Sequence, residues 1–253
     1  MSGHSKWAQI KHKKGREDAK RGRIFSRLSR AIMVAAKEGG GNPDLNPALA
    51  TAIQKARDYN MPHENIERAI KRGTGELGEA RFEHIIYEGY GPNGVAIIVH
   101  VLTDNRNRAA ADIRSIFSRH QGNLGATGCV SWMFDKKGHI LINKEEGIDE
   151  DELLTIAIEA GAEDMRAQND HYEIITSPTD LMSMRKTLEE HGITPDSAEI
   201  TMLPKSTVKL HKEEAKRVLR LMDALEEHDD VQEIYANFDI PDEILEELTI
   251  GVK

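Results

Sequence analysis

From Arg16 onward, charged and apolar positions recur at helical spacing. Counting 100° per residue from Arg16, Lys20, Arg23, Arg27 and Arg30 fall within about 40° of it. Phe25, Leu28, Ile32 and Ala35 gather on the opposite side. The pattern predicts a helix with one cationic face and one face that packs. Gly22 interrupts it at a cost of about 1 kcal/mol relative to Ala, which marks a candidate break. Gly39, Gly40 and Gly41 stop the helix. Asn46-Pro47 reads as an N-cap followed by Pro at the first helical position, opening a helix with Leu49, Ile53 and Ala56 on one side. Pro62 lies in the first turn of a third helix, "HENIERAIKR", which Gly73 ends. "GTGELGEA", residues 73–80, reads as a linker.

After the linker the period shortens. "EHIIYEGYGPNGVAIIVHVLT" predicts two strands around the turn Gly89 to Gly94. A helix follows in "AAADIRSIFSRH", with Ile113, Ile116 and Phe117 apolar, and "CVSWMF" reads as strand. Then "HILINK", "DEDELLTIAIEAG", "EDMRAQ", "HYEIITS", "PTDLMSMRKTLEEHG" and "SAEITMLP" run in the order βαββαβ, the ferredoxin-like split unit. A helix "KEEAKRVLRLMDALEEH" and a strand "VQEIYANFD" resume the α/β unit left unfinished before residue 138. The predicted fold class is α+β: an N-terminal helical domain followed by two ferredoxin-like α/β domains, one inserted in the other. The expected spans are 1–78 for the basic helical domain, 79–136 plus 206–253 for the outer α/β domain, and 137–205 for the insertion.

Charge changes the picture most. The chain has a net charge of −9, yet residues 1–73 hold 16 Lys and Arg against 7 Asp and Glu, a net of +9. Residues 74–253 hold 18 against 36, a net of −18. Such a division points to a polyanionic partner for the basic part. Aromatic residues make up only 5%, so the cores rest on aliphatic side chains. No apolar run approaches the roughly 18 residues that a membrane span requires, and no apolar segment follows the charged N-terminus as in a secretory signal. The single cysteine, Cys129, excludes an intrachain disulfide and fits a reducing compartment, so a cytoplasmic location is expected.

Enzymatic chemistry finds little support. The eleven His include no helical i, i+4 zinc pair, and one cysteine builds no thiolate cluster, so no metal is expected. Cys129 precedes an apolar run, where a small inert thiol is the default. "GGGN" and "GTGELG" lack the Lys-Ser/Thr of a phosphate loop. The acidic run 145–152 lacks the alternating spacing of a helical calcium loop and reads as an acid-rich helix start. The expectation is a non-enzyme without cofactors, small-molecule substrate or membrane association.

Two basic features remain. The first is the stripe Arg16, Lys20, Arg23, Arg27 and Arg30 with its leader Lys6, Trp7, Lys11, Lys13 and Lys14. It carries no acid on the cationic face, unlike an ordinary solvated charge run. Trp7 either stacks on an unpaired base or anchors the leader to the helical domain. The second is "TDNRNRAAAD", which puts Arg106 and Arg108 where a strand ends and a helix begins. Arginines converging there with free N–H groups would form a phosphate seat. Neutralisation by Asp104 and Asp112 is the alternative.

"GHSKWAQIKHKK", "DAKRGRIFSRLSR", "NMPHENIERAIKRGTG", "YEGYGPNGVAIIVHVLTDNRNR", "QGNLG" and "VSWMF" together resemble the YebC/PmpR family. The likeness runs nearly end to end and is densest from 3 to 134. It implies three domains and a role among probable DNA-binding transcriptional regulators, a family that includes the mitochondrial translational activator of cytochrome oxidase I and bacterial members linked to translation at the ribosome. Gln121 and Cys129 stand where the family pattern has Gly and Ser, and Thr51 where a basic residue is common. The leading expectation is therefore a DNA-binding transcriptional regulator. The alternatives are a ribosome-associated translation factor that binds ribosomal RNA, and an interaction module whose basic tract is a solubilising tail. Oligomeric state is not fixed by these features.

Overall fold

The computed structural model describes residues 17–77, 82–144, 148–168, 171–241 and 243–244, with residues 17–21 and 23 described by backbone alone. It resolves into two compact units, Met1–Met133 with Pro204–Lys253, and Phe134–Leu203.

The first unit begins with three helices: α1 Glu17–Gly39, α2 Pro47–Asp58 and α3 His63–Gly73. The expected break at Gly22 is absent; α1 runs through it. The helix stops at the left-handed Gly40, φ +85°. Leu28, Ile32 and Ala36 of α1 pack with Leu49, Ile53 and Ala56 of α2 and with Ile66 and Ala69 of α3. At Gly73 an added Cβ would sit 2.4 Å from the Met33 carbonyl, so α3 reaches α1 only through glycine.

Asn46 fixes the α1–α2 corner. Its Oδ1 accepts from the Leu49 N–H at 3.1 Å, and its Nδ2 donates to the carbonyls of Ala35 and Gly40 at 2.8 and 2.9 Å. One buried amide thus caps the start of one helix and the end of another. Asn46→Ala is expected to cost about 2 kcal/mol, read as a lower urea midpoint with an unchanged m-value.

The rest of this unit is an antiparallel sheet with two helices on one face. Its elements are β1 Glu83–Tyr90, β2 Ala96–Thr103, α4 Arg106–Arg119, β3 Asn123–Leu124 and, after the inserted unit, α7 Lys212–Glu226 and β9 Val231–Ala236. The strand order is β3-β1-β2-β9. The β1–β2 hairpin pairs Glu83 with Thr103 and Tyr90 with Ala96, and turns through Asn93 and Gly94, both at positive φ. Val95, Ile97, Val99 and Val101 face Ile113 and Phe117 of α4 and Val218, Leu221 and Leu225 of α7. The expected strand "CVSWMF" is corrected: Ser131–Met133 form a 3-10 turn and the strand starts at Phe134. A short parallel pair, β8 Val208–Lys209 and β10 Phe238–Asp239, adjoins α7 in sequence.

The inserted unit holds β4 Phe134–Asn143, α5 Glu150–Glu159, β5 Asp164–Ala167, β6 His171–Thr176, α6 Leu181–Glu190 and β7 Ser197–Pro204. Its strand order, β5-β6-β4-β7, is that of the split βαββαβ unit. Asp149 caps α5 by accepting from the N–H groups of Asp151 and Glu152. Ile140, Ile142 and Ile174 pack against Leu153, Leu181 and Leu188. The fold is α+β. The two α/β parts share a two-layer build but differ in strand order, because the outer part opens with a hairpin and the insertion with a strand–helix crossover.

Candidate nucleic-acid interface

The helix α1 carries Lys20, Arg23, Arg27 and Arg30 in the register expected of one face, but that face has two fates. Arg27 donates to the carbonyl of Glu226, the last residue of α7, and pairs with the Glu226 carboxylate at 3.8 Å. It thereby serves an orphan carbonyl at a helix C-terminus. Arg30 donates to the carbonyl of Asp229 at 2.7 Å and to Asp230 Oδ1 at 3.0 Å, and its guanidinium lies 5.7 Å from the Phe82 ring centroid. Both arginines join α1 to the turn between α7 and β9. The expectation that the whole stripe faces a polyanion is therefore corrected at Arg27 and Arg30: carboxylates and carbonyls of the same unit already occupy these side chains. Lys20 and Arg23 lie on α1, but their side chains lie outside the described residues. So do Lys6, Trp7, Lys11, Lys13, Lys14 and Arg16 in full.

The second feature is corrected in the same way. Arg108 donates to Asp104 at 2.8 Å and to Asp230 Oδ2 at 3.0 Å. Asn105, the N-cap of α4, accepts the Arg108 N–H, so one of the helix's free amides is already satisfied. Arg106 takes another course. It is exposed and lies with Arg114 close enough to Tyr87 to oppose the upward push of burial on the phenol. The two arginines do not converge on a shared seat.

Asp230 is the residue on which these arrangements meet. It is 4% exposed and accepts from Arg30, Arg108 and the Thr103 hydroxyl, the last at 2.8 Å. Its backbone carbonyl also takes the Leu102 N–H. Burial alone would raise its pKa, but the hydrogen bonds from Arg108 and Thr103 and the charges of Arg30 and Arg108 hold the carboxyl below its ordinary value. Lys55 of α2 adds a further link to the sheet, 2.7 Å from Glu233. Asp230 escaped the sequence reading because "EEHDDV" looks like a solvated acidic turn. The one signal was its place directly before the apolar strand Val231–Ala236.

A second buried carboxylate holds the loop after β3. Glu88, 4% exposed on β1, accepts from the N–H groups of Gly128, Val130 and Ser131 at 2.7, 2.9 and 2.8 Å. Burial raises its pKa, and these backbone donors more than reverse that, so the carboxyl is held low. The loop presents Trp132, which the strand assignment had hidden. Gln121 sits at φ +60°, the left-handed region, which explains why the family pattern has Gly there.

Among the described residues no group of three or more His, Cys, Asp or Glu could hold a metal ion, and no described helix is long and apolar enough to cross a membrane. Cys129 is half-buried, and burial with the nearby Glu88 charge pushes its thiol pKa up, away from nucleophilic use.

Residues 5–76 match the family model described as the TACO1/YebC protein N-terminal domain, and residues 82–238 match the TACO1/YebC second and third domain. The chain belongs to the TACO1/YebC family. Relatives in this family include a probable transcriptional regulatory protein of Halothermothrix orenii, 58% identical over 251 residues that cover 98% of this chain and 99% of the relative. One of the same description from Rubrobacter xylanophilus is 58% identical over 249 residues, covering 98% and 99%. The crystal structure of a conserved hypothetical protein from Aquifex aeolicus superposes with a TM-score of 0.82 at 52% identity, covering 93% of this chain and 97% of that one. The family's two matched regions meet the fold on either side of the linker, in residues 77–81.

Proposed function

We propose that this protein is a cytoplasmic regulator of gene expression that acts by binding nucleic acid through its basic front end, as a DNA-binding transcriptional regulator. The names of its relatives support regulation, and the observation that carries the nucleic-acid part is the division of charge. Residues 1–73 keep a net of +9 within a chain of −9. Internal pairing occupies Arg27, Arg30 and Arg108, which leaves Lys6, Lys11, Lys13, Lys14, Arg16, Lys20, Arg23 and Arg106, with Trp7 among them, as the proposed contact residues. Arg57, Arg68, Lys71 and Arg72 of the helical part are exposed as well. The acidic remainder repels a polyanion and so confines contact to one end. No catalytic step and no cofactor enter this reading.

Phosphate contacts of this kind hold the protein on nucleic acid without reading bases. The aromatic residues Trp7 and Trp132 favour the second reading, a translation factor on ribosomal RNA. Competition separates the two. Labelled promoter duplex bound at 50 mM salt should be displaced more weakly by random duplex than by itself under transcriptional regulation. Under the translational reading structured RNA displaces it best. A chain that binds neither at low salt overturns the proposal.

A further inference from the structure

Trp132 and Tyr90 stand out among the exposed large apolar side chains, at 67% and 37% exposure. Both donate to one atom. Trp132 Nε1 reaches the Cys129 carbonyl oxygen at 3.1 Å, and the Tyr90 hydroxyl reaches the same oxygen at 3.2 Å. The two rings are therefore neighbours with their polar handles turned inward. Alternation along β1 places Ile86, Glu88 and Tyr90 on the sheet face away from α4, since a Cβ at Gly89 would meet the Phe117 ring. Ile86, 42% exposed, extends the apolar surface along the strand.

The seat under these rings is rigid. Glu88 binds three consecutive-loop N–H groups, Gly125 N–H donates to the Glu88 carbonyl at 2.8 Å, and β3 pairs Asn123 with Tyr90. A buried carboxylate spent on three amides is a strong anchor for a loop that otherwise exposes its tip. The surroundings are also free of acid. Residues 119–134 contain no Asp or Glu, although residues 74–253 contain 36. Glu88 is the one carboxylate close by, and its charge is already bound.

We infer that Trp132 and Tyr90 form a stacking platform for an unpaired base of single-stranded nucleic acid, an inference that rests on the nucleic-acid reading above and adds a site outside the basic front end. Their N–H and O–H groups are committed to Cys129, so the rings offer faces and no edge donors. Stacking on such faces tolerates any base. Duplex DNA, with its bases already stacked, cannot use the platform. An apolar protein segment would fit the rings as well, but the acid-free rim of a strongly acidic region favours a polyanion.

The test uses the full chain carrying Trp7→Phe, which leaves Trp132 as the one tryptophan of two. Twelve-nucleotide oligouridylate, oligothymidylate and a twelve-base-pair duplex are titrated against its fluorescence. The first two should quench Trp132 and the duplex should not; unequal quenching by the RNA and DNA strands identifies which source the site prefers. In the otherwise native chain Trp132→Leu should weaken oligouridylate binding about 5- to 150-fold in a filter assay. Tyr90→Phe, which keeps the ring, should leave binding within about twofold. Trp132 is exposed, so its replacement leaves the fold intact, and circular dichroism checks this. Oligonucleotide binding that is steeply salt-dependent but leaves Trp132 fluorescence and the Trp132→Leu affinity unchanged overturns the platform while sparing the basic-tract reading. Absence of binding by any of the three overturns both.

Discussion

Asp230→Ala should lower the unfolding free energy by about 3 kcal/mol, the largest effect expected of any single substitution in this chain. The variant strands two arginines. Arg30 and Arg108 have side chains 22% and 49% exposed, so water relieves part of their loss, which keeps the estimate below that of a fully dry pair. The Thr103 hydroxyl loses its acceptor in the interior at the same time. Asp229→Ala is the control. Arg30 uses only the backbone carbonyl of that exposed residue, so its cost should stay within about 0.5 kcal/mol. The pH dependence follows from the depressed carboxyl. Asp230 binds fewer protons in the folded state, so its stabilisation is present above the ordinary carboxylate range and is lost as pH falls through its lowered folded value. Urea unfolding should therefore show Asp230→Asn losing less stability on acidification than the unaltered chain. Equal acid sensitivity of the two would show that Arg30 and Arg108 do not hold the carboxylate.

Replacing Lys6, Lys11, Lys13 and Lys14 together by Gln should weaken nucleic-acid binding about 100-fold or more at 50 mM salt while leaving the unfolding midpoint in place. The four charges precede the described helices, and no packing role has been assigned to them. Changing Arg30 instead should shift stability first, because its guanidinium is committed to Asp230 and Asp229. The two kinds of variant thus separate a charge that faces outward from a charge that builds the fold. Filter binding and urea unfolding, measured on the same preparations, report both.

Much of the fold was legible because its elements carry local signals. Asn46-Pro47 announces its own cap, Gly39 to Gly41 announce a stop, and the six elements between 138 and 204 alternate in an order few folds share. The failures have one physical source. A helical wheel shows which residues share a face but not what lies opposite that face. Arg27 and Arg30 fall on the stripe with Lys20 and Arg23, yet their partners, Glu226, Asp229 and Asp230, lie about 200 residues away. The same limit hid Glu88, which reads as a solvated strand carboxylate until three amides 40 residues on fold over it. Trp132 was hidden by a neighbour effect: four apolar residues in a six-residue run look like strand, and only the amides bound by Glu88 break it into a turn. Gly22, in contrast, was overweighted, since one glycine costs too little to break a 23-residue helix packed along its length.

The central claim is that the front-end charges not engaged inside the molecule meet phosphates. The slope of log affinity against log salt tests it most directly, compared on one duplex for the unaltered chain and the four-lysine variant. Four lost contacts should flatten that slope by about 3 to 4. An unchanged slope, with affinity also unchanged, would place the contact elsewhere and contradict the account.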